Sequence, residues 1–350
     1  MNKKVVFWVI VIICIIAIAV CSAILFIKNQ ENSNSTFLGT EVVNGEGQNQ
    51  NTIVAEVETV DIFKGNSRPI AVMIDNNKNA MPQAGLNDAY MVYEIIVEGG
   101  ESRLMALFKD ANLDVIGPVR SARHYFVDFA LENDAIYVHF GESPQAQSDI
   151  GTYNVNDIDG IKEDGSTFWR VRDKKAPHNA VTSMENLLKS AQKKDYRTTS
   201  SKESVLNYVT EEITLDEGQI AQNVTIPYSQ SNVVKWTYDE TIKKYKRASK
   251  SIEQKDWTTG EDVTAKNIIV EFIANTTLAD GENKGRQTMN TTGIKDGYYI
   301  TNGKAIPIKC EKVSRSSQTV YKDLEGNEIK VNDGNTFVQI CPINAKVVIE

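Results

Sequence analysis

The chain has 350 residues, more than one average domain needs and enough for about two with connectors. Its content of 41% hydrophobic and 24% charged residues is ordinary for a globular protein. A formal net charge of -8 excludes the strongly basic balance of a nucleic-acid binder, and no nucleic-acid partner is expected.

Lys3 and Lys4 precede an uncharged apolar run from Val5 to Ile27, closed by Lys28. That length crosses a hydrocarbon core of about 30 Å, whereas a cleaved secretory signal has a shorter apolar region. Residues 1–28 are therefore expected to be a transmembrane signal anchor with the lysines inside and the remainder outside the cell. Ile18-Ala19-Val20-Cys21 offers another means of attachment, because it is similar to the lipobox that precedes a lipid-modified cysteine. Val20 stands where a small residue is usual and the apolar run continues past Cys21, so the anchor is favoured over the lipid. Residues 29–60 are rich in Asn, Gln, Glu, Ser and Gly and read as a disordered linker.

Residues 61–210 are expected to form a mixed α/β domain. Ile70 to Ile74 is a short apolar run stopped by Asp75-Asn76, which reads as a buried strand with Asp75 at its carboxyl end. Open α/β sheets place ligands there. Asp88 to Glu98 reads as helical in its first half, and Leu104 to Phe108 as a strand with Arg103 at its entry. Gly117-Pro118 marks a turn, and Ser121 is the expected N-cap of a helix to about Asn133. Arg120 and Arg123 flank that helix start, where free N–H groups and the dipole already favour an anion. Arginines there suit a carboxylate or phosphate partner; the competing reading pairs each with an internal Asp or Glu. Ala135 to Phe140 is a strand, and Ser143-Pro144 caps and opens the next helix. Thr167 to Arg172 reads as a strand with Arg170 and Arg172 on one face. Thr182 and Glu185 match a capping box for a helix from Met184 to Gln192.

All three histidines, His124, His139 and His178, fall between Ile116 and Thr182. The candidate ligand-binding set is Asp75, Arg103, Arg120, Arg123, His139, Arg172, His178 and Asn179. Gly141-Glu142-Ser143 is half of a G-x-S-x-G nucleophile elbow, but Pro144 and Gln145 break the other half and a cap role explains Ser143. His139, Glu142 and His178 have ligand types that suit zinc without any local H-x-x-x-H spacing. No metal and no cofactor is expected.

Residues 211–350 change character. Lys202 to Tyr208 is read as one more short helix, after which short strands alternate with Gly and Asn turns, including a hairpin from Val233 to Arg247. Further strands are expected at Asn267 to Ala274, Gly297 to Thr301, Ala305 to Glu311, Thr319 to Lys322, Glu328 to Val331 and Thr336 to Ile340. This is the pattern of a smaller, mainly antiparallel β domain. Cys310 and Cys341 pair if they lie on neighbouring strands; two buried thiols is the other reading. The fold class expected is thus α+β, an α/β domain followed by a β-rich one, with an N-terminal transmembrane helix.

Ile116-Gly117-Pro118-Val119-Arg120-Ser121-Ala122-Arg123, Ser143-Pro144-Gln145-Ala146 and Pro177-His178-Asn179 carry a resemblance. With Pro69 to Asp75, Val97-Glu98-Gly99-Gly100, Arg103, Gly297 to Ile300, Asn302 to Lys304 and the segment 334–342, they resemble the YerB-like bacterial envelope family, a domain of unknown function. The resemblance implies an N-terminal globular domain, a smaller C-terminal one and an extracytoplasmic address, and it supplies no reaction. Members are usually lipoproteins, from which the poor lipobox departs.

The functional expectation is a membrane-anchored extracytoplasmic protein of the cell envelope, single-pass or lipid-anchored. Its Arg/His pocket would hold an anionic group of a cell-wall polymer, a lipid phosphate or an envelope partner protein. The alternative is an envelope hydrolase or transferase using Asp75 or Glu142 with His139 or His178.

Overall fold

Five strands organise the first half of the chain: β1 (Ile70–Asp75), β2 (Met91–Ile96), β3 (Ser102–Phe108), β4 (Ile136–His139) and β5 (Asp157–Asp159). The computed structural model describes residues 60–163 and 165–350. β1 runs antiparallel to β3 and parallel to β4, β4 is parallel to β5, and β3 is antiparallel to β2. Strands from the second half continue the same sheet. Thr336–Pro342 lies parallel to β2 and to Asn267–Ile273, and Gly293–Thr301, Lys304–Lys312 and Val320–Lys322 follow outward. The result is one eleven-stranded sheet that spans both halves, completed by the short strand Gln219–Ile220.

Side chains alternate between the two faces of this sheet, as a period of two demands. Ile70, Val72 and Ile74 of β1 belong to one core and Ala71 and Met73 to the other. The second core is covered by two helices, α1 (His124–Glu132) and α2 (Pro144–Thr152), through Tyr125, Phe126, Phe129, Ala146 and Ile150. The first core is covered by α3 (Met184–Lys193) and by a six-stranded sheet that includes Asn223–Pro227, Val233–Asp239 and Lys244–Ser249. Trp236 of that sheet meets Phe337 of the large one edge-on, with ring centroids 4.9 Å apart.

The expected fold class is corrected on two counts. Strands dominate, with three α-helices among the described residues, and strands of both halves share one sheet, with parallel pairs at the join. No helix among the described residues is long and apolar enough to cross a membrane, so these residues give no support to the expected transmembrane helix. The run expected to form it lies outside the described residues, as does all of the linker but residue 60.

Several local expectations also change. The helix expected in the first half of Asp88 to Glu98 does not form: Met91–Ile96 is a strand, buried at every position. Its Val and Ile pack between two sheet neighbours, and tertiary context overrides the helical reading. α1 starts at His124, not after Ser121, because the preceding residues are held extended. Ala122 N–H bonds the Gly141 carbonyl at 2.9 Å, and Ser121 Oγ donates to the Phe140 carbonyl at 3.0 Å. α3 is capped by Ser183, whose Oγ accepts from Asn186 N–H, while Thr182 ends a short strand. Lys202 to Tyr208 is not helical; Asn207–Val209 pairs in parallel with Lys330–Asn332. The cap at Ser143, the Val233–Asp239 hairpin and the Asn302-Gly303 turn, both residues at positive φ, form as expected.

Cys310 and Cys341 are both free and buried. They sit on Lys304–Lys312 and Thr336–Pro342, with two strands between them, roughly 14 Å apart at the usual strand spacing. A disulfide needs Cα atoms within about 7 Å.

Candidate functional site

The parallel strands β1 and β4 end side by side, at Asp75 and His139, and two clusters of polar side chains grow from these ends. The first is built on Asp75, which is 4% exposed. Residues Gly117 to Arg120 run beside the end of β1: Asp75 N–H bonds the Pro118 carbonyl at 2.8 Å, and Arg120 N–H bonds the Met73 carbonyl at 2.9 Å. Gly117 allows this approach. Its φ is +137°, and a Cβ there would lie 2.8 Å from Val119 N and 3.2 Å from the Ala180 carbonyl oxygen. The segment brings Arg120 Nε to 3.1 Å from Asp75 Oδ2, and His178 Nδ1 comes to 2.7 Å from the same oxygen. Asp75 Oδ1 accepts from Asn77 N–H at 2.9 Å. The Arg120 side chain keeps 27% of its surface exposed, and its contact with Asp75 is an ion pair in which the buried Nε makes no well-aligned hydrogen bond.

Beside this cluster, Glu98 is held by two arginines. Arg123 Nε donates to Glu98 Oε2 at 2.9 Å and its Nη2 to Oε1; Arg103 Nη2 lies 3.4 Å from Oε1. Burial alone would raise the Glu98 carboxyl, but the Arg123 hydrogen bonds and both guanidinium charges outweigh it and hold it at about 2. Burial and the neighbouring Arg123 charge lower Arg103 to about 10. The remaining donors of these arginines go to backbone: Arg103 to the Ser121 carbonyl at 2.6 Å and Arg123 to the Ala122 carbonyl at 2.6 Å. Both side chains are buried and already satisfied.

The expected set is therefore divided. Asp75, Arg120 and His178 come together, with Arg103 opposite Asp75 in the β1–β3 register and Arg123 beyond it on Glu98. Arg172 is exposed and makes no ion pair among the described residues. Asn179 is used locally, accepting from Arg170 at 2.7 Å and donating to the Val171 carbonyl at 3.0 Å. His124 is apart from both clusters, at 3.2 Å from Thr288 Oγ1, and burial lowers its pKa.

The second cluster surrounds His139, which is fully buried. Its Nδ1 lies 2.9 Å from the Gly141 carbonyl oxygen. Its Nε2 lies 3.3 Å from Asp157 Oδ2 and 3.8 Å from Glu142 Oε2. Asp159 turns the loop after β4, accepting from Gly141 N–H at 2.8 Å and Ile161 N–H at 3.0 Å, and Lys162 Nζ reaches Glu142 Oε1 at 2.9 Å. Sequence reading found His139 and Glu142 but missed Asp157, Asp159 and Lys162. The signal present was the polar–apolar–polar alternation Asp157-Ile158-Asp159, which marks an edge strand with both carboxylates on the His139 face.

Comparison with known proteins gives the lineage. The family described as "Protein of unknown function (DUF3048) N-terminal domain" matches residues 57–197, and its C-terminal domain matches residues 224–338. The chain belongs to this family. The DUF3048 assignment bears out the resemblance carried by Ile116 to Arg123 and Pro177-His178-Asn179. The chain is 32% identical over 286 residues to the putative lipoprotein YerB of Bacillus subtilis (strain 168), covering 79% of this chain and 81% of that protein. Its fold matches the crystal structure of the Bacillus subtilis YerB protein with a TM-score of 0.72 at 30% identity, over 81% of this chain and 94% of that one.

Proposed function

We propose that this DUF3048 protein works at the outer face of a bacterial membrane and binds an anionic group at the Arg120–His178 edge of Asp75. The observation that carries the reading is the unequal use of the arginines. Arg103 and Arg123 spend their donors on Glu98 and backbone, whereas Arg120 gives Asp75 one nitrogen and keeps its fork exposed. Three guanidinium groups here face two carboxylates, Asp75 and Glu98, so the region carries an excess of positive charge that an anion would balance. A planar fork beside an imidazole suits a phosphate or carboxylate of a wall polymer, a lipid or a partner protein. The test is co-sedimentation of the full chain, in detergent, with isolated cell-wall sacculi. Arg120→Ala with His178→Ala is expected to abolish binding without loss of folding, and undiminished binding would overturn the proposal.

The putative-lipoprotein name of the Bacillus subtilis relative favours attachment through a lipid at Cys21. Metabolic labelling with a fatty-acid probe is expected to mark the chain and to fail with Cys21→Ala; labelling that survives the substitution would remove this attachment.

One observation favours a second reading. A histidine whose Nδ1 is held 2.7 Å from a carboxylate is positioned to present Nε2 as a general base. Asp75 and His178 would then serve a hydrolase or transferase. Turnover of wall or lipid material that is lost in His178→Ala, while binding persists, is the result expected of this reading and not of the first.

A further inference from the structure

The His139 cluster holds an arrangement that a neutral imidazole does not satisfy by hydrogen bonding. Gly141 supplies a carbonyl oxygen, which only accepts, so His139 Nδ1 must carry the proton that bridges the 2.9 Å between them. A neutral ring then turns the Nε2 lone pair toward Glu142 Oε2 and Asp157 Oδ2, two more lone-pair bearers. Nε2 and Glu142 Oε2 are both buried and neither makes a well-formed hydrogen bond; the nearest approach is Nε2 to Asp157 Oδ2 at 3.3 Å. A buried arrangement of three acceptors facing one another is repulsive unless something positive lies between them.

We propose that His139 Nε2, Glu142 Oε2 and Asp157 Oδ2 bind a divalent first-row transition-metal cation, with zinc the best match. The three ligand atoms lie within 4.8 Å of one another. Separations of 3.3 and 3.8 Å suit atoms sharing one ion at bond lengths of about 2.0–2.2 Å. One imidazole and two carboxylates with the fourth position open is a donor set that zinc accepts. The Nδ1–H bond to Gly141 is the outer contact that fixes the tautomer and aims Nε2 at the ion. The charge also fits: Glu142 and Asp159 share the ammonium of Lys162, and the other ammonium near Asp157, that of Lys194, is paired with Glu163. Glu142 divides its oxygens, giving Oε1 to Lys162 and leaving Oε2 for the ion. Asp157 is 22% exposed on the edge strand of the sheet, which provides an entry path. These ligands are distinct from Asp75, Arg120 and His178, so the proposal stands independently of the anion site.

The test is calorimetric titration of zinc into the full chain, in detergent, after removal of metal with a chelator. One equivalent is expected to bind, and Asp157→Asn, at a partly exposed position, is expected to weaken binding roughly tenfold or more. Lys162→Ala removes the competing cation and is expected to tighten it. A merely structural histidine would give neither change. Should His139→Ala fail to fold, the Asp157 and Lys162 variants still decide the matter. Absence of stoichiometric binding up to about 1 mM zinc, or binding indifferent to Asp157→Asn, would overturn the site.

Discussion

His178 Nδ1 lies 2.7 Å from Asp75 Oδ2, joining a loop residue to the end of the strand Ile70–Asp75 across 103 positions of sequence. The contact orients the imidazole and, through the same oxygen, positions Arg120. Asp75→Asn removes the charge that holds both partners while keeping the shape. Binding to cell-wall sacculi is expected to fall roughly tenfold, the scale of a hydrogen bond to a charged group. Co-sedimentation at matched protein concentration measures this, and an unchanged affinity would show that Asp75 does not organise the site.

The Glu98 pairing predicts a pH dependence. The folded carboxyl titrates at about 2, below its ordinary value of 4.5. Its contribution to stability is therefore present above the unfolded value and is lost as pH falls from about 4.5 toward 2. Arg123→Ala removes the first of the interactions that lower it. The variant is expected to be less stable than wild type by on the order of 2 kcal/mol at pH 6 and to converge on it near pH 2. Urea unfolding at the two pH values checks the convergence; an equal deficit at both would place the role of Arg123 in packing.

How much was legible in the sequence depended on whether the signal was local. The cap at Ser143, the Asn302-Gly303 turn and the strand Ile70–Asp75 are written in neighbouring residues, and all three formed. The start of the helix His124–Glu132 was misplaced because Ala122 pairs with the loop after Ile136–His139, a contact invisible from position 121. Arg103, Arg120 and Arg123 were expected to share one anion, but the partner that occupies two of them, Glu98, comes from another turn of the chain. Asp157 reaches His139 only through the parallel pairing of two strands. Which strands from the two halves would adjoin depended on Thr336–Pro342 inserting beside Met91–Ile96, and no local pattern announces that.

Glu271 gives the opposite pH response to Glu98. It lies in the strand Asn267–Ile273, is 2% exposed, and has Lys295 Nζ 3.6 Å away. Burial raises its carboxyl to about 7, with Lys295 opposing only in part. Between pH 4.5 and 7 the folded protein holds a proton that the unfolded chain has released, so stability falls as pH rises through that window. Glu271→Gln is expected to be more stable than wild type at pH 8, by on the order of 2 kcal/mol, and nearly equal to it at pH 4.5. Thermal melts at the two pH values decide it; a variant destabilised at pH 8 would mean that Glu271 is charged and usefully paired.

An ion pair is among the contacts that join the two large sheets. Glu94 and Arg247 form an ion pair with both side chains fully buried. Glu94 Oε1 also accepts from Asn76 at 3.0 Å and Ser102 at 2.6 Å, so one carboxylate ties three elements together. Arg247 is less well served, because its Nε and Nη1 have no hydrogen-bond partner, and it leans on the faces of Trp236 and Phe337 instead. Arg247→Met keeps most of that apolar contact but strands a carboxylate in the core, at an expected cost of about 3–5 kcal/mol. Glu94→Gln alone leaves the guanidinium stranded and is also destabilising. The double variant buries no charge and is expected to be more stable than either single one, because the desolvation penalty of both ions disappears together. Urea unfolding of the four proteins completes the cycle. If the two losses simply add, the pair is not coupled and contributes nothing beyond the separate environments of its two members.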